Sequence, residues 1–279
     1  YAPFVLGSGN LQEDMRLHID QNRLADRRHL LSQLDRVRGE IDRANAVGNV
    51  MGRYREQAFE TIIGGVADAF DLAKEDSHTV RAYDTAPLVT PDQISRRWNN
   101  YNNYVDNAQT LGKLLLLARR LCERGCGFVT VTTNFVWDMH SDVNNAGVQE
   151  GMEYMGRPLD HALATYIQDI ESRGLSDKIL LVACGEMGRT PKINARGGRD
   201  HWGRIAPLLL YGGGLKMGQV VGQSSRDAGE PATHPYKIEN LIATIMQSLV
   251  DVGEVRLMRN LPTDVLRVVT GNEPITELI

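Results

Sequence analysis

Cysteine is scarce in this chain, with three among 279 residues. An odd and small count makes a poor disulfide framework, and Cys122, Cys126 and Cys184 are too few for a tetrahedral cysteine zinc site. They read as buried free thiols, two across a helix end and one at a strand end. Long apolar runs are also missing. No stretch reaches the ~18–20 residues that a membrane-spanning helix needs. Basic residues do not dominate either: 31 Lys and Arg face 35 Asp and Glu, a net charge of −4, which removes the electrostatic case for nucleic acid.

Several functional signatures are absent. There is no Walker loop and no GxSxG elbow, and the glycines from Gly212 to Gly218 lack the GxGxxG spacing and the strand-to-helix setting of a dinucleotide site. A hairpin explains those glycines better. No internal repeat or low-complexity tract is visible. The chain opens on Tyr1-Ala2-Pro3-Phe4, without a charged-then-apolar leader, and is expected to be a mature, processed or truncated protein.

What remains is an ordinary globular composition. Hydrophobic residues make up 42% and charged residues 24%, in a length that suits one large domain or two small ones. The first half reads as helical. Residues 1–20 look irregular. Leu24, Leu31, Leu34, Val37 and Ile41 then recur at helical spacing among Arg and Asp, predicting an amphipathic helix from Asn22 to about Arg43. A second helix is expected over Tyr54–Leu72, interrupted by Gly64-Gly65. Asp92 could cap a short helix after Pro91. The Asn99–Tyr104 segment holds four amides and two tyrosines, which could line a polar substrate or simply cap and turn the chain. Leu111–Glu123 is apolar and long enough for a buried helix ending at Gly125.

From Gly127 the pattern changes. Gly127–Thr133 is short and β-branched, as an interior strand would be. A helix is expected over Leu159–Ser172, closed by Gly174. Lys178–Cys184 and Ile205–Tyr211 read as further strands, the latter turned by Gly212-Gly213-Gly214 into a short Val220-Val221 strand. Pro235–Val250 is a closing helix. Strand–helix–strand alternation with apolar strands predicts an α/β fold with a mainly parallel central sheet covered on both faces, in three α/β/α layers. Residues 1–126 form its helical N-terminal region packing on a core of residues 127–279, as one domain. Ligands of such sheets sit beyond the carboxyl ends of the strands.

Two of three polar clusters fall at those places, and the third comes just before a strand. Asp138 and His140 are two residues apart, so in extended chain both project to the same side and can reach one ion. The alternative is an Asp–His hydrogen bond at a turn. Glu186 follows an apolar run directly, with Arg189 near enough either to clamp an oxyanion or to pair with it. Thr190-Pro191 then forces an extended exit. Asp200-His201 is flanked by Arg199 and Trp202 and preceded by Gly197-Gly198, which let backbone approach a ligand closely. One of that pair could ligate while the other orients it. Asp160, beside His161 at an expected helix start, could cap or ligate.

Five stretches carry a family resemblance: Tyr1–Val5, Leu115–Leu121, Trp137-Asp138-Met139-His140, Gly185–Ile193 and Gly198-Arg199-Asp200-His201-Trp202. In them the chain resembles the DUF1501 family, sulfatase-like proteins near the alkaline phosphatase superfamily. The resemblance implies an alkaline phosphatase-like fold whose N-terminal part, with its first strand and nucleophile region, is not in this chain. It also implies a metal-dependent hydrolase of sulfate or phosphate esters, or an inactive metal- or ligand-binding member of that fold. Asp138, His140 and His201 look like ligands of one divalent ion and Glu186 like a ligand of a second. The ion could be zinc, manganese, calcium or magnesium. Arg189 would act in catalysis, with Asp160, Asp200, Arg199 and Thr190 around substrate or ligands. The implied substrate is a small-molecule or glycan ester. The implied setting is periplasmic or extracellular, reached through a twin-arginine export signal. Two departures stand out: the Asp-x-His pair is shorter than in the wider superfamily, and Glu186 stands where relatives often have Asp.

Overall fold

The computed structural model describes residues 19–41, 66–134, 136–259 and 261–279. They divide into two compact units, one comprising residues 1–80 and 117–130, the other residues 81–116 and 131–279. The described part of the first unit begins with α1 (Gln21–Ile41), where Leu24 is buried and Leu31 half-buried, as the spacing predicts. Leu34, Val37 and Ile41 lie outside the residues whose side chains are described. The expected helix over Tyr54–Leu72 is described only from Val66, as the short α2 (Val66–Ala69). The rest of it, Gly64-Gly65 included, lies outside the described residues. Val66, Ala69 and Leu121 form a small core with Phe70, Cys126 and Val129.

That unit is stapled by charge as well as by apolar contact. Glu75 Oε2 accepts from Arg119 Nη2 at 2.9 Å and Arg120 Nη1 at 2.7 Å, and all three side chains are buried or nearly so. Arg119 also bonds Glu123 at 2.6 Å. The Arg120 guanidinium donates to the carbonyls of Asp68 and Ala69, at the end of α2, and of Asp71 just beyond it.

In the second unit, α3 (Ser77–Ala82) crosses the division, and α4 (Tyr101–Glu123) starts well before the expected Leu111. The Asn-rich segment explains the extension. Asn99 and Asn100 donate backbone N–H to Val143 and Asn144 carbonyls, and their side-chain amides pair with Asn144 and Asn145 at 2.8 Å each. Tyr104 is fully buried and its hydroxyl accepts from Ala146 N at 3.1 Å. These amides anchor the helix start to the 142–146 loop, so they are structural.

Helix α5 runs over Val148–Ser172 and passes straight through Pro158, where the sequence pattern starts a helix only at Leu159. Proline removes one N–H, but a continuous buried stripe of Gly151, Tyr154, Met155, Pro158, Ala162, Tyr166 and Ile170 holds the helix on both sides of it. Asp160 therefore lies inside the helix, exposed, and caps nothing. Its neighbour His161 bonds the Ala82 carbonyl at 2.8 Å. The main core gathers Val89, Ile94, Trp98, Tyr104, Val136, Met139, Tyr154 and Met155.

The strands depart most from expectation. β1 (Leu180–Cys184) pairs antiparallel with β4 (Leu208–Gly212), and β2 (Gly188–Arg189) pairs antiparallel with β3 (His201–Trp202). Among the described residues these are two-stranded sheets, and no parallel central sheet is formed. The supported description is a mixed fold of helices and small antiparallel sheets. The connection from β1 to β4 holds the β2–β3 hairpin and not the crossover helix that usually joins parallel strands. The apolar run of β1 is half-buried, and Leu208 and Leu209 of β4 are exposed, unlike strands covered on both faces. Gly127–Thr133 forms no ladder; the run is split between the two units after Thr130, and Phe128 is 78% exposed. Val220-Val221 likewise pairs with no strand, and Val220 is solvent-exposed. Helix α6 (Ile238–Leu249) closes the expected segment, followed by α7 (Val252–Leu257) and α8 (Thr263–Thr270). No helix among the described residues is long and apolar enough to cross a membrane.

Candidate metal centre

Met139 is the anchor of the first ligand segment. Its side chain is buried in the main core, so the residues on either side of it, Asp138 and His140, turn the other way and remain partly exposed. The second segment is the β2–β3 hairpin. Its register sets Arg189 directly opposite His201, and opposed residues present their side chains on one face. Gly188 has no room for a side chain, since a Cβ there would lie 1.8 Å from the Ile205 carbonyl oxygen.

The two segments meet. His201 Nε2 lies 3.1 Å from Asp138 Oδ1 and 3.2 Å from His140 Nε2, and His140 Nε2 lies 3.8 Å from the same Asp138 oxygen. The two rings are tilted 46° with centroids 4.8 Å apart. Asp138, His140 and His201 are the one group of metal-ligating type found among the described residues. Arg189 Nη2 donates to Asp138 Oδ1 at 2.7 Å. Burial pushes the Asp138 carboxyl up, but the bonds from His201 and Arg189 outweigh it and hold the group below the usual carboxylate range.

The donor set fits a divalent ion. His140 Nδ1 lies 2.9 Å from the Arg199 carbonyl oxygen and 3.4 Å from Asp200 Oδ1, both of which can only accept. The hydrogen therefore sits on Nδ1, and Nε2 presents its lone pair to the cluster. His201 Nε2 then faces a lone pair on one side and a carboxylate on the other, which one hydrogen cannot serve well. A cation among the three atoms would satisfy all of them. The two separations from His201 Nε2, 3.1 and 3.2 Å, are close to the edge of about 3.3 Å expected when ligand atoms stand ~2.0–2.1 Å from a four-coordinate ion, and the third, between His140 and Asp138, is wider at 3.8 Å.

A loop between β2 and β3 locks this arrangement, and its key residue escapes sequence reasoning. Asn194 donates through Nδ2 to the His140 carbonyl at 3.1 Å and to Asp200 Oδ1 at 3.4 Å, while its Oδ1 accepts from Arg196 N and Gly198 N. The readiness of Asn to bond nearby backbone was the available signal. Ser141, at φ 55, donates its hydroxyl to the Arg196 carbonyl at 2.7 Å. Nothing in the sequence marks that strained serine. Thr190 Oγ1 donates to Lys192 O at 3.0 Å and accepts from Asp200 N at 3.1 Å, a turn-stabilising role. The Arg199 guanidinium is spent on the Thr190 and Pro191 carbonyls, at 2.7 and 2.9 Å. Arg199 reaches the centre through its backbone instead, its carbonyl fixing His140.

The remaining residues are not brought in. Glu186 is exposed between β1 and β2 and is not among the three gathered ligands, and neither is Asp160. The close approach of the loop carries a prediction. A Cβ on Gly198 would lie 2.2 Å from both the carbonyl carbon and oxygen of His140. Gly198→Ala is expected to cost about 1–3 kcal/mol in denaturant unfolding, as overpacking does. It should also weaken metal uptake about 10–100-fold by displacing the orienting shell. Wild-type values in both measurements would contradict the loop's role.

A family model described as "Protein of unknown function (DUF1501)" matches residues 7–279. The chain belongs to the DUF1501 family. No curated protein and no solved structure matches this DUF1501 chain. The match covers both ligand segments and the loop between β2 and β3.

Proposed function

We propose that this DUF1501 protein is a metal-dependent hydrolase of phosphate or sulfate esters. The observation that supports it best is the convergence of Asp138, His140 and His201 into one group beside Arg189. The metal part of the reading rests on that geometry, and the ester part on the resemblance to sulfatase-like proteins near the alkaline phosphatase superfamily. So do an extracytoplasmic location and an alkaline phosphatase-like architecture. A mixed nitrogen and oxygen donor set suits zinc or manganese better than calcium or magnesium, which prefer oxygen alone. With Glu186 outside the group, the proposed centre holds one ion.

Asp138, His140 and His201 would hold the ion. A bound ion would polarise the ester oxygen and make coordinated water more acidic. The chain's own groups do the rest. Arg199 O and Asp200 keep His140 in the tautomer that offers Nε2. Arg189 brings a planar fork suited to an oxyanion. Half the His201 side chain is exposed, which leaves an open side for substrate.

One observation favours a second reading, a metal-binding member without turnover. The hydroxyls nearest the centre in sequence, Ser141 and Thr190, each donate to a backbone carbonyl and are not presented as nucleophiles. The full chain, purified and dialysed, should carry about one equivalent of zinc or manganese by elemental analysis. It should cleave p-nitrophenyl phosphate or sulfate and lose that activity to a chelator. Metal at that stoichiometry without turnover on either ester selects the second reading. No metal at all sinks both.

A further inference from the structure

The two terminal nitrogens of Arg189 are in unequal circumstances. Nη2 bonds Asp138 Oδ1, the oxygen on which both imidazoles converge. Nη1 is shut away from solvent with no hydrogen-bond partner among the described residues. A buried donor left unmet on a cation is costly, so it marks a place where an acceptor is expected. The other guanidinium groups of the hairpin already have carbonyls, Arg199 those of Thr190 and Pro191 and Arg196 that of Ser141.

We propose that Arg189 is a stand-in cation. It holds the ligand carboxylate while no metal is bound, opposes metal entry in the absence of an anion, and offers its unmet Nη1 to a tetrahedral dianion once metal arrives. Metal and oxyanion would then bind cooperatively. This rests on the metal-centre reading above and adds to it the direction and sign of the coupling.

The charges make the case. Arginine cannot give up its proton. Asp138 carries one negative charge and Arg189 one positive, while the two imidazoles coordinate as neutral groups. A divalent ion added to that set leaves it two positive charges in excess, which the largely exposed Asp200 carboxylate, 3.4 Å from His140 Nδ1, offsets only in part, with guanidinium and metal competing for one ligand carboxylate. A sulfate or phosphate dianion cancels that excess and supplies the acceptor that Nη1 lacks. A neutral substrate would do neither. Linkage requires the effect to run both ways, so the anion must tighten metal binding as much as metal tightens anion binding.

Removing Arg189 should therefore improve metal binding, the reverse of what loss of a merely structural residue would do. The test is calorimetric titration of Mn²⁺ into the full-length wild-type protein and Arg189→Gln. It is run in chloride, in sulfate and in low phosphate at equal ionic strength. In chloride, Arg189→Gln should bind Mn²⁺ about tenfold more tightly than wild type, within the usual range of coupling between sites. Sulfate or phosphate should tighten wild-type binding about tenfold and leave the variant nearly unchanged. Arg189→Lys, which keeps the charge but not the second donor, should behave as wild type in chloride and gain little from either anion. Circular dichroism and the melting temperature of each variant confirm the fold. The proposal is overturned if Arg189→Gln, folded, binds Mn²⁺ no better than wild type in chloride. It is equally overturned if anions tighten both proteins alike. Should neither protein take up Mn²⁺ in any arm, the metal centre itself fails, a result distinct from either of those.

Discussion

Asp138→Asn should abolish divalent-metal binding, with affinity falling at least about 100-fold, while the protein stays folded. The change is isosteric and keeps an acceptor for the hydrogen bonds of Arg189 and His201. What it removes is the single negative charge on which a guanidinium and two imidazoles converge. Without that charge, a dication would have to enter beside Arg189 with nothing to balance it, and a neutral amide is a poor ligand for zinc or manganese. The carboxylate is one-third exposed, so stability should fall by only about 1 kcal/mol, as is usual for a single substitution away from the core. Elemental analysis after dialysis and calorimetric titration read the first effect, and urea unfolding reads the second. Stoichiometric metal in Asp138→Asn would remove this residue from the centre. His201→Ala should reproduce the loss of metal from the other ligand segment.

Glu75→Gln should have the largest effect on stability, about 3 kcal/mol at neutral pH, the lower end of what breaking a buried ion pair costs. Its carboxylate lies between Arg119 and Arg120, whose side chains are 1% and 10% exposed. Neutralising it leaves both guanidinium groups short of their countercharge. The loss falls at the lower end because Arg119 keeps Glu123 and Arg120 keeps three carbonyls. Burial pushes the Glu75 carboxyl up, yet the bonds and charges of Arg120 and Arg119 prevail and hold it below the ordinary range. A folded-state value below the unfolded one means that the stabilisation is full above the unfolded value of about 4.3 and is lost as pH falls through the lower, folded one. The gap between wild type and Glu75→Gln should therefore be constant from about pH 6 to 8 and shrink below about pH 4. A gap equal at pH 3.5 and pH 7, read by urea unfolding, would show that the carboxylate charge is not what stabilises this unit.

The helices were largely legible in the sequence, because a helix is specified by neighbours within a turn or two. The start of α1 follows directly from apolar spacing, and α6 falls within the expected Pro235–Val250 segment. The misjudged boundaries share one cause. At Pro158 and at the Asn99–Asn103 amides, a local helix-breaking signal is outweighed by contacts from distant parts of the chain: a buried stripe in one case and Asn144 and Asn145 in the other. Strands fared worse. The apolar runs of β1 and β4 are strand-forming, but a run of residues does not name its partner, and both ladders are antiparallel.

The sequence alone determined which residues could serve as ligands and that two of them, Asp138 and His140, would share one side of an extended chain. The family resemblance grouped His201 with them and set Glu186 apart, but the residues by themselves could not determine that His201 would meet the other two, nor that Arg189 would lie on the shared carboxylate oxygen. Those depend on the register of β2 against β3 and on a loop tied to the His140 backbone by Asn194. Side-chain chemistry is a property of each residue, but convergence on a point is a property of the path between segments some sixty positions apart, as the His140–His201 contact is. Only the folded chain sets that path.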